Sequence, residues 1–266
     1  MPGIGVGISP MLRRYRASAY GAYTTAWYTQ VLANGGTATA GELAALTTFE
    51  NSMGANMIEF DRLWIHGLAN SVAARVSFVN PSSTLISLVN SPTFTANQGF
   101  TGNSATMALE TNYNLSTQSV KYTRDSSSAF TYTRININAT GMAIGVYSVP
   151  NISAAFYPRF GGNTIFYNNA NAGVDGLAAI ADSLGTISVV RTNATDTFSY
   201  KRGVQSGTLS RASVALLNAT PYVLGCKGLS NSGNQISASG FGSGVVNQVT
   251  LNSALQTLGT TLGWAV

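Results

Sequence analysis

Charge is what this sequence has least of. Lys, Arg, Asp and Glu make up 9% of its 266 residues, against roughly 25% in an average soluble domain. Gly, Ser, Thr and Asn fill the gap, because hydrophobic content stays at an ordinary 45%. There is one cysteine, which excludes an intrachain disulfide framework and a cysteine-pair metal site. Cys226 sits in the apolar run Tyr222-Val223-Leu224-Gly225-Cys226 and reads as a small buried hydrophobe. There is one histidine, His66, so a Ser-His-Asp triad has a single available base, and no H-E-x-x-H pattern exists to hold zinc. No apolar run approaches the ~18–20 residues needed to cross a bilayer, so membrane insertion is not expected. The opening MPGIGVGISPMLRRYR puts its positive charge after its apolar part, the reverse of a signal peptide. The expectation is a chain made in a cytoplasm without the secretory route.

Positive charge is thin as well. The net charge is +5 from 14 Lys and Arg, and Arg13, Arg14 and Arg16 form the sole cluster. The scatter of the others argues against a nucleic-acid groove. The cluster reads either as a contact with an acidic neighbour protein or as part of a solvated arm.

Aromatic residues are plentiful: 12 Tyr, 11 Phe and 3 Trp, more than a disordered chain carries. Few charges among many hydroxyl and amide groups suit a rigid β surface that meets other proteins or sugars. Covering such a surface costs less desolvation than covering a charged one.

The chain divides into a tail over 1–19, a helical module over 20–67 and a β-rich part over 68–266. In the tail, Ile4, Val6 and Ile8 alternate with glycines, a pattern suited either to strand addition on another subunit or to a disordered arm. In the module, a first helix ends at Asn34-Gly35-Gly36. Thr39 and Glu42 form a capping box for a second helix with an apolar stripe at Leu43, Leu46, Phe49 and Met53. The spacing of Ile58, Phe60, Leu63 and Trp64 predicts a third short helical turn. From about 105 to 245 short alternating segments separated by Gly or Asn clusters predict an antiparallel sandwich. These include 129–133, 134–137, 141–147, 154–160, 164–167, 186–191, 196–201 and 221–225. Gly161-Gly162-Asn163 and Lys201-Arg202-Gly203 read as hairpin turns. A last helix is expected over 247–262, with Asn247 or Thr250 as its cap.

Chemistry is sparse. A glycosidase on such a sandwich needs two carboxylates across a cleft. Among the nine carboxylates only Glu59-Phe60-Asp61 begins the E-x-D spacing, and Trp64 occupies its third position. Those residues, with Arg62, read as a solvated helix face. His66 reads as a cation at a helix end. No catalytic residue, cofactor or firm metal site follows. Asn171 and Asp175 offer oxygen ligands at loop-like spacing for calcium, although an Asn/Gly-rich turn is the favoured account of them. Tyr147, Tyr157 and Tyr167 on neighbouring strands, with Asn168 and Asn169, are the glycan-binding candidates: an exposed ring stacks on a sugar face while Asn amides read its hydroxyls.

Several short motifs carry a family resemblance. Thr197-Phe198-Ser199-Tyr200-Lys201-Arg202-Gly203 resembles a "Y-x-N/R-G" strand-turn, and Tyr222-Val223-Leu224-Gly225 an "lGs-x-x-G" stretch. Phe241-Gly242-Ser243-Gly244 leads into a Leu-spaced helix, and Asn97-Gln98-Gly99-Phe100-Thr101-Gly102-Asn103 resembles an opening "x-x-G-x-x-G-N-G" turn. Together with the "ANGGT" of the helical module, these resemble the laminin-G/concanavalin-like jelly-roll virion proteins of tailed bacteriophages. The closing helix departs from that pattern in lacking an acidic cap. The resemblance implies a mainly β, antiparallel two-sheet jelly-roll sandwich with an N-terminal helical module. It implies a fibre, spike or capsid-decorating subunit located in the virion, with other virion proteins as partners and a homo-oligomeric state, most simply a trimer. In that setting Ile4, Val6, Ile8, Arg13, Arg14 and Arg16 would attach the subunit. The alternative is a module that binds a host receptor or surface glycan. A polysaccharide-degrading enzyme is the remaining class, and the missing acid pair argues against it.

Overall fold

A computed structural model describes residues 20–138, 141–171 and 175–266. Three helices lie over one face of a two-sheet sandwich. α1 (Ala22–Ala33) has no side-chain cap at Gly21. Its first free amides are served from a distance: Glu50 accepts from the Tyr23 and Thr24 N–H groups at 3.1 and 3.0 Å. α2 (Ala40–Met53) starts with the expected capping box. The Glu42 N–H donates to Thr39 Oγ1 at 3.1 Å, and the Thr39 N–H donates to the Glu42 carboxylate at 2.7 Å. Its buried stripe includes Leu43, Leu46, Phe49 and Met53. α3 (Gln248–Leu262) is capped by Asn247, which accepts from the Thr250 N–H at 3.0 Å, and ends at left-handed Gly263.

The third helical turn is replaced by a strand. A 3-10 turn over Gly54–Glu59 leads into β1 (Phe60–Ile65), which pairs antiparallel with β18 (Gln235–Gly242), Leu63 opposite Gly240 and Ile65 opposite Ala238. β1 is covered on both faces. Leu63 and Ile65 belong to the core under the helices, Trp64 to the core between the sheets. A strand buried on both sides loses its alternation, and the close run of apolar residues imitates a helical stripe.

The first sheet runs β14 (Val204–Ser210), β13 (Asp196–Lys201), β12 (Gly185–Arg191), β6 (Ser127–Thr133), β18, β4 (Gly99–Thr101) and β3 (Thr93–Thr95), with β1 also on β18. The second runs β11 (Gly176–Ala179), β9 (Asn163–Phe166), β8 (Asn151–Phe160), β7 (Ile144–Ser148), β15 (Tyr222–Val223), β5 (Ala108–Glu110) and β2 (Ser87–Val89), with β10 (Ala170–Asn171) on β8. β16 (Gly225–Cys226) and β17 (Ser230–Asn231) form a small ribbon. The chain is thus mainly β, an antiparallel two-sheet jelly-roll-like sandwich with a helical module before it. The sandwich starts earlier than residue 105, because β1 to β4 all belong to it. The segment 134–137 is not a strand. Arg134 leaves β6 and its guanidinium donates to the Trp264 carbonyl at 2.9 Å and the Gln235 side chain at 2.9 Å.

Two cores result. Between the helices and the first sheet lie Trp27, Phe49, Phe60, Phe130, Leu255 and Trp264, all buried. Trp264 meets Tyr132 edge-on at 4.8 Å. It also lies against Gly67 and Gly259, where a Cβ would stand 2.6 and 2.7 Å from the indole. Between the sheets lie Trp64, Phe100, Tyr113, Phe156, Phe166 and Phe241. Burying each large side chain contributes about 1.5–3 kcal/mol. The outer face of the second sheet carries no helix among the described residues, and a small third cluster forms there instead.

Candidate functional site

That third cluster joins Met142, Ile152 and Tyr167 with half-buried Tyr147, Tyr157 and Ile165. Pairing register explains how. Tyr147 on β7 stands opposite Ile152 on β8, and Tyr157 on β8 stands opposite Ile165 on β9, which in turn faces Leu177 on β11. Cross-strand partners share a face, so these side chains form rows on the outside of the sheet. Tyr147, Ile152, Tyr157 and Ile165 line a groove of about 350 Å³ with Met142, Phe160, Tyr167, Asp175 and Leu229.

The three tyrosines named from the sequence therefore come together, and Phe160 joins them. Its ring centroid lies 5.4 Å from that of Tyr157, tilted by 48°. Phe160 is 46% exposed and Leu229 47%, forming an open rim. Simple alternation from Tyr157 would have put Arg159, not Phe160, on this face. A register shift between Tyr157 and Phe160 reverses the order. Leu229 is held by a loop that crosses β7. The Tyr147 N–H donates to the Lys227 carbonyl at 2.8 Å. Gly228 has φ +88° and passes so close that a Cβ would stand 2.5 Å from the Tyr147 carbonyl oxygen.

Asp175 is the one charged residue lining the groove. Its Oδ1 accepts from the Tyr167 hydroxyl, and no salt bridge engages it among the described residues. Asn171 is exposed on β10 opposite Asn151 and does not line the groove. Among the described residues no cluster of three His, Cys, Asp or Glu side chains is placed to hold a metal.

Asn168 and Asn169 are not at the surface. Both are fully buried. The Tyr122 hydroxyl lies 2.6 and 3.0 Å from their Oδ1 atoms, and their amides donate to Ser127 O and Ser127 Oγ at 3.2 and 3.0 Å. Two amides with every polar atom engaged tie β6 to the end of β9 and have none left for a sugar. The attachment candidates Ile4, Val6, Ile8, Arg13, Arg14 and Arg16 lie outside the described residues.

Two further expectations are corrected. Asp61 is no solvated helix residue: it is 3% exposed and anchors a loop. Its carboxylate accepts from the N–H groups of Val120, Lys121 and Tyr122 at 3.1, 2.9 and 2.8 Å and from the Tyr113 hydroxyl at 2.8 Å. Burial, with that carboxylate beside it, drives the Tyr113 phenol upward. His66 is no helix-end cation. It follows β1, fully buried, with Nδ1 2.9 Å from the Ala74 carbonyl and Nε2 2.8 Å from Ser239 Oγ. A carbonyl only accepts, so Nδ1 carries the proton and Nε2 accepts from the hydroxyl. Burial pulls its pKa down to about 4, and the ring is neutral near pH 7.

A second groove of about 340 Å³ is lined in part by Asp182, Lys201 and Arg202. Lys201 Nζ lies 3.1 Å from Asp182, with Arg202 at 3.4 Å. Burial lowers Lys201 to about 8. Both cations share the one carboxylate and no aromatic ring lines this groove, so it offers less to a sugar ring than the tyrosine groove.

No protein-family model matches the chain, and no curated protein sequence matches it. Solved structures do. A mutant form of HCR/D is 9% identical with a TM-score of 0.54, covering 75% of this chain and 52% of that one. The botulinum neurotoxin serotype D binding domain is 10% identical with a TM-score of 0.49, covering 76% and 51%. Domain 4 of AbnA, a GH43 extracellular arabinanase from Geobacillus stearothermophilus solved with arabinotriose, is 10% identical with a TM-score of 0.42, covering 74% and 98%. The chain spans about half the length of the first two and nearly all of the third. At such identities the likeness is one of fold.

Proposed function

We propose that this chain is a non-enzymatic saccharide-binding β-sandwich, with its site in the tyrosine groove on the outer face of β7, β8 and β9. One observation carries the reading: three tyrosines and Phe160, from three strands, converge on one open groove that also holds a carboxylate. Aromatic faces stack on the apolar side of a sugar ring, and Asp175 and the phenol hydroxyls supply hydrogen bonds at its edge. Hydrolysis is not part of the reading. The groove has one carboxylate where glycoside cleavage uses two, and Glu42, Glu50 and Asp61 are engaged with backbone amides. The test is a glycan array probed with the wild type and with Tyr147→Ala/Tyr157→Ala. Binding that the double variant loses while its melting temperature holds supports the site; equal binding by both refutes it.

The setting we infer is the virion of a tailed bacteriophage, as a fibre, spike or capsid-decorating subunit in a homo-oligomer. The motif resemblance and the charge-poor composition favour it. So does a groove of about 310 Å³ between the helical module and the sandwich, lined in part by Tyr23, Met57, Ile58 and Val120. Ile58 is 56% and Val120 77% exposed there, a surface suited to a neighbouring subunit. Deleting residues 1–16 is expected to leave the melting temperature of the sandwich unchanged while preventing incorporation into particles. Truncated protein present in purified particles at normal copy number would remove the tail as the anchor.

A further inference from the structure

The tyrosine groove has a charge asymmetry that bears on which saccharide it takes. Its walls are rings and aliphatic side chains, and one lining residue, Asp175, is ionic. The described salt bridges pair Asp125, Asp182 and Glu110 with cations and leave Asp175 out. Its recorded partner is the Tyr167 hydroxyl, which donates to Oδ1. A carboxylate beside electron-rich ring faces repels a second carboxylate and attracts an ammonium group, because both the charge and the ring quadrupoles favour a cation. Among the described residues no Lys or Arg lines the groove, and Lys227 is engaged by Glu110 and stacks over Tyr222 at 5.3 Å.

We propose that the groove selects amino sugars bearing a free ammonium group over their N-acetylated and neutral counterparts, and excludes uronates and other acidic sugars. The proposal rests on the saccharide-binding reading of this groove and adds the ligand's charge to it. The sugar ring packs on Tyr157 and Phe160, and its ammonium group lies toward Asp175. Asp175 acts as a specificity determinant, and the rings supply most of the affinity.

Matched probes separate the two claims. Gluco- and galacto-configured oligosaccharides in free-amine, N-acetyl and uronate forms are titrated against the whole chain by calorimetry, at a pH where the amine is protonated. The free-amine form is expected to bind roughly fivefold more tightly than its N-acetyl twin, the scale of an exposed ion pair. That margin should shrink with added salt. Asp175→Asn keeps an oxygen for the Tyr167 hydroxyl and is expected to abolish the margin, lowering free-amine affinity to that of the N-acetyl form. Tyr157→Ala is expected to weaken both forms together. Equal affinity for the amine and N-acetyl forms, or an unchanged margin in Asp175→Asn, overturns the charge selection and leaves the saccharide site standing. No binding of any form overturns both.

Discussion

At the scale of single residues, polar groups decide more than composition suggests. Asp61 satisfies three backbone amides and a phenol from a position with almost no solvent contact. Removing one acceptor that serves several buried donors costs about 1–3 kcal/mol per group left unpaired, partly recovered by relaxation. Asp61→Ala is expected to destabilise the protein by on the order of 3 kcal/mol in urea denaturation; a loss below about 1 kcal/mol would mean the loop has other anchors. His66 sets a pH dependence. Its folded pKa of about 4 lies below the ordinary 6.5, so the unfolded chain takes up a proton before the folded one. Stability is therefore full above about pH 6.5 and falls as the pH drops toward about 4, at up to about 1.4 kcal/mol per pH unit within that window. Denaturation midpoints across pH 4–7 should show this slope in the wild type and lose it in a folded His66→Gln variant.

At the scale of elements, Trp264 is the joint between the helical layer and the sandwich. It packs on Tyr132, Gly67 and Gly259 at once. Trp264→Ala is expected to cost about 3–5 kcal/mol, and Gly67→Ala should also destabilise because its Cβ would overlap the indole. Thermal melts of the two variants check both. The elements legible in the sequence are those whose signals are local. Thr39 and Glu42 announce a helix start within four residues, and Asn247 caps α3. β6, β8, β12 and β13 are legible from their residue types and turn punctuation. The pairing of β1 with β18 is not, because both are buried on both faces and lose their alternation. Within the groove, Tyr147, Tyr157 and Tyr167 were legible from their neighbouring strands. Phe160 was hidden by a bulge that no single-strand pattern reveals. Asn168 and Asn169 look like surface amides by type, and only the long-range contact with Tyr122 shows that they are buried.

At the scale of the whole molecule, the helices and the tyrosine groove lie on opposite sides of the sandwich. The helical layer closes the first sheet, and the second sheet keeps its outer face open. That division leaves one side of the sandwich covered and the other open to a ligand. The most direct measurement is glycan-array binding of the wild type beside Tyr147→Ala/Tyr157→Ala, with thermal melting as the control for folding. The account predicts saccharide binding by the wild type that disappears in the double variant at an unchanged melting temperature. Saccharide binding that survives in the folded double variant, or no saccharide bound by the wild type, would contradict it.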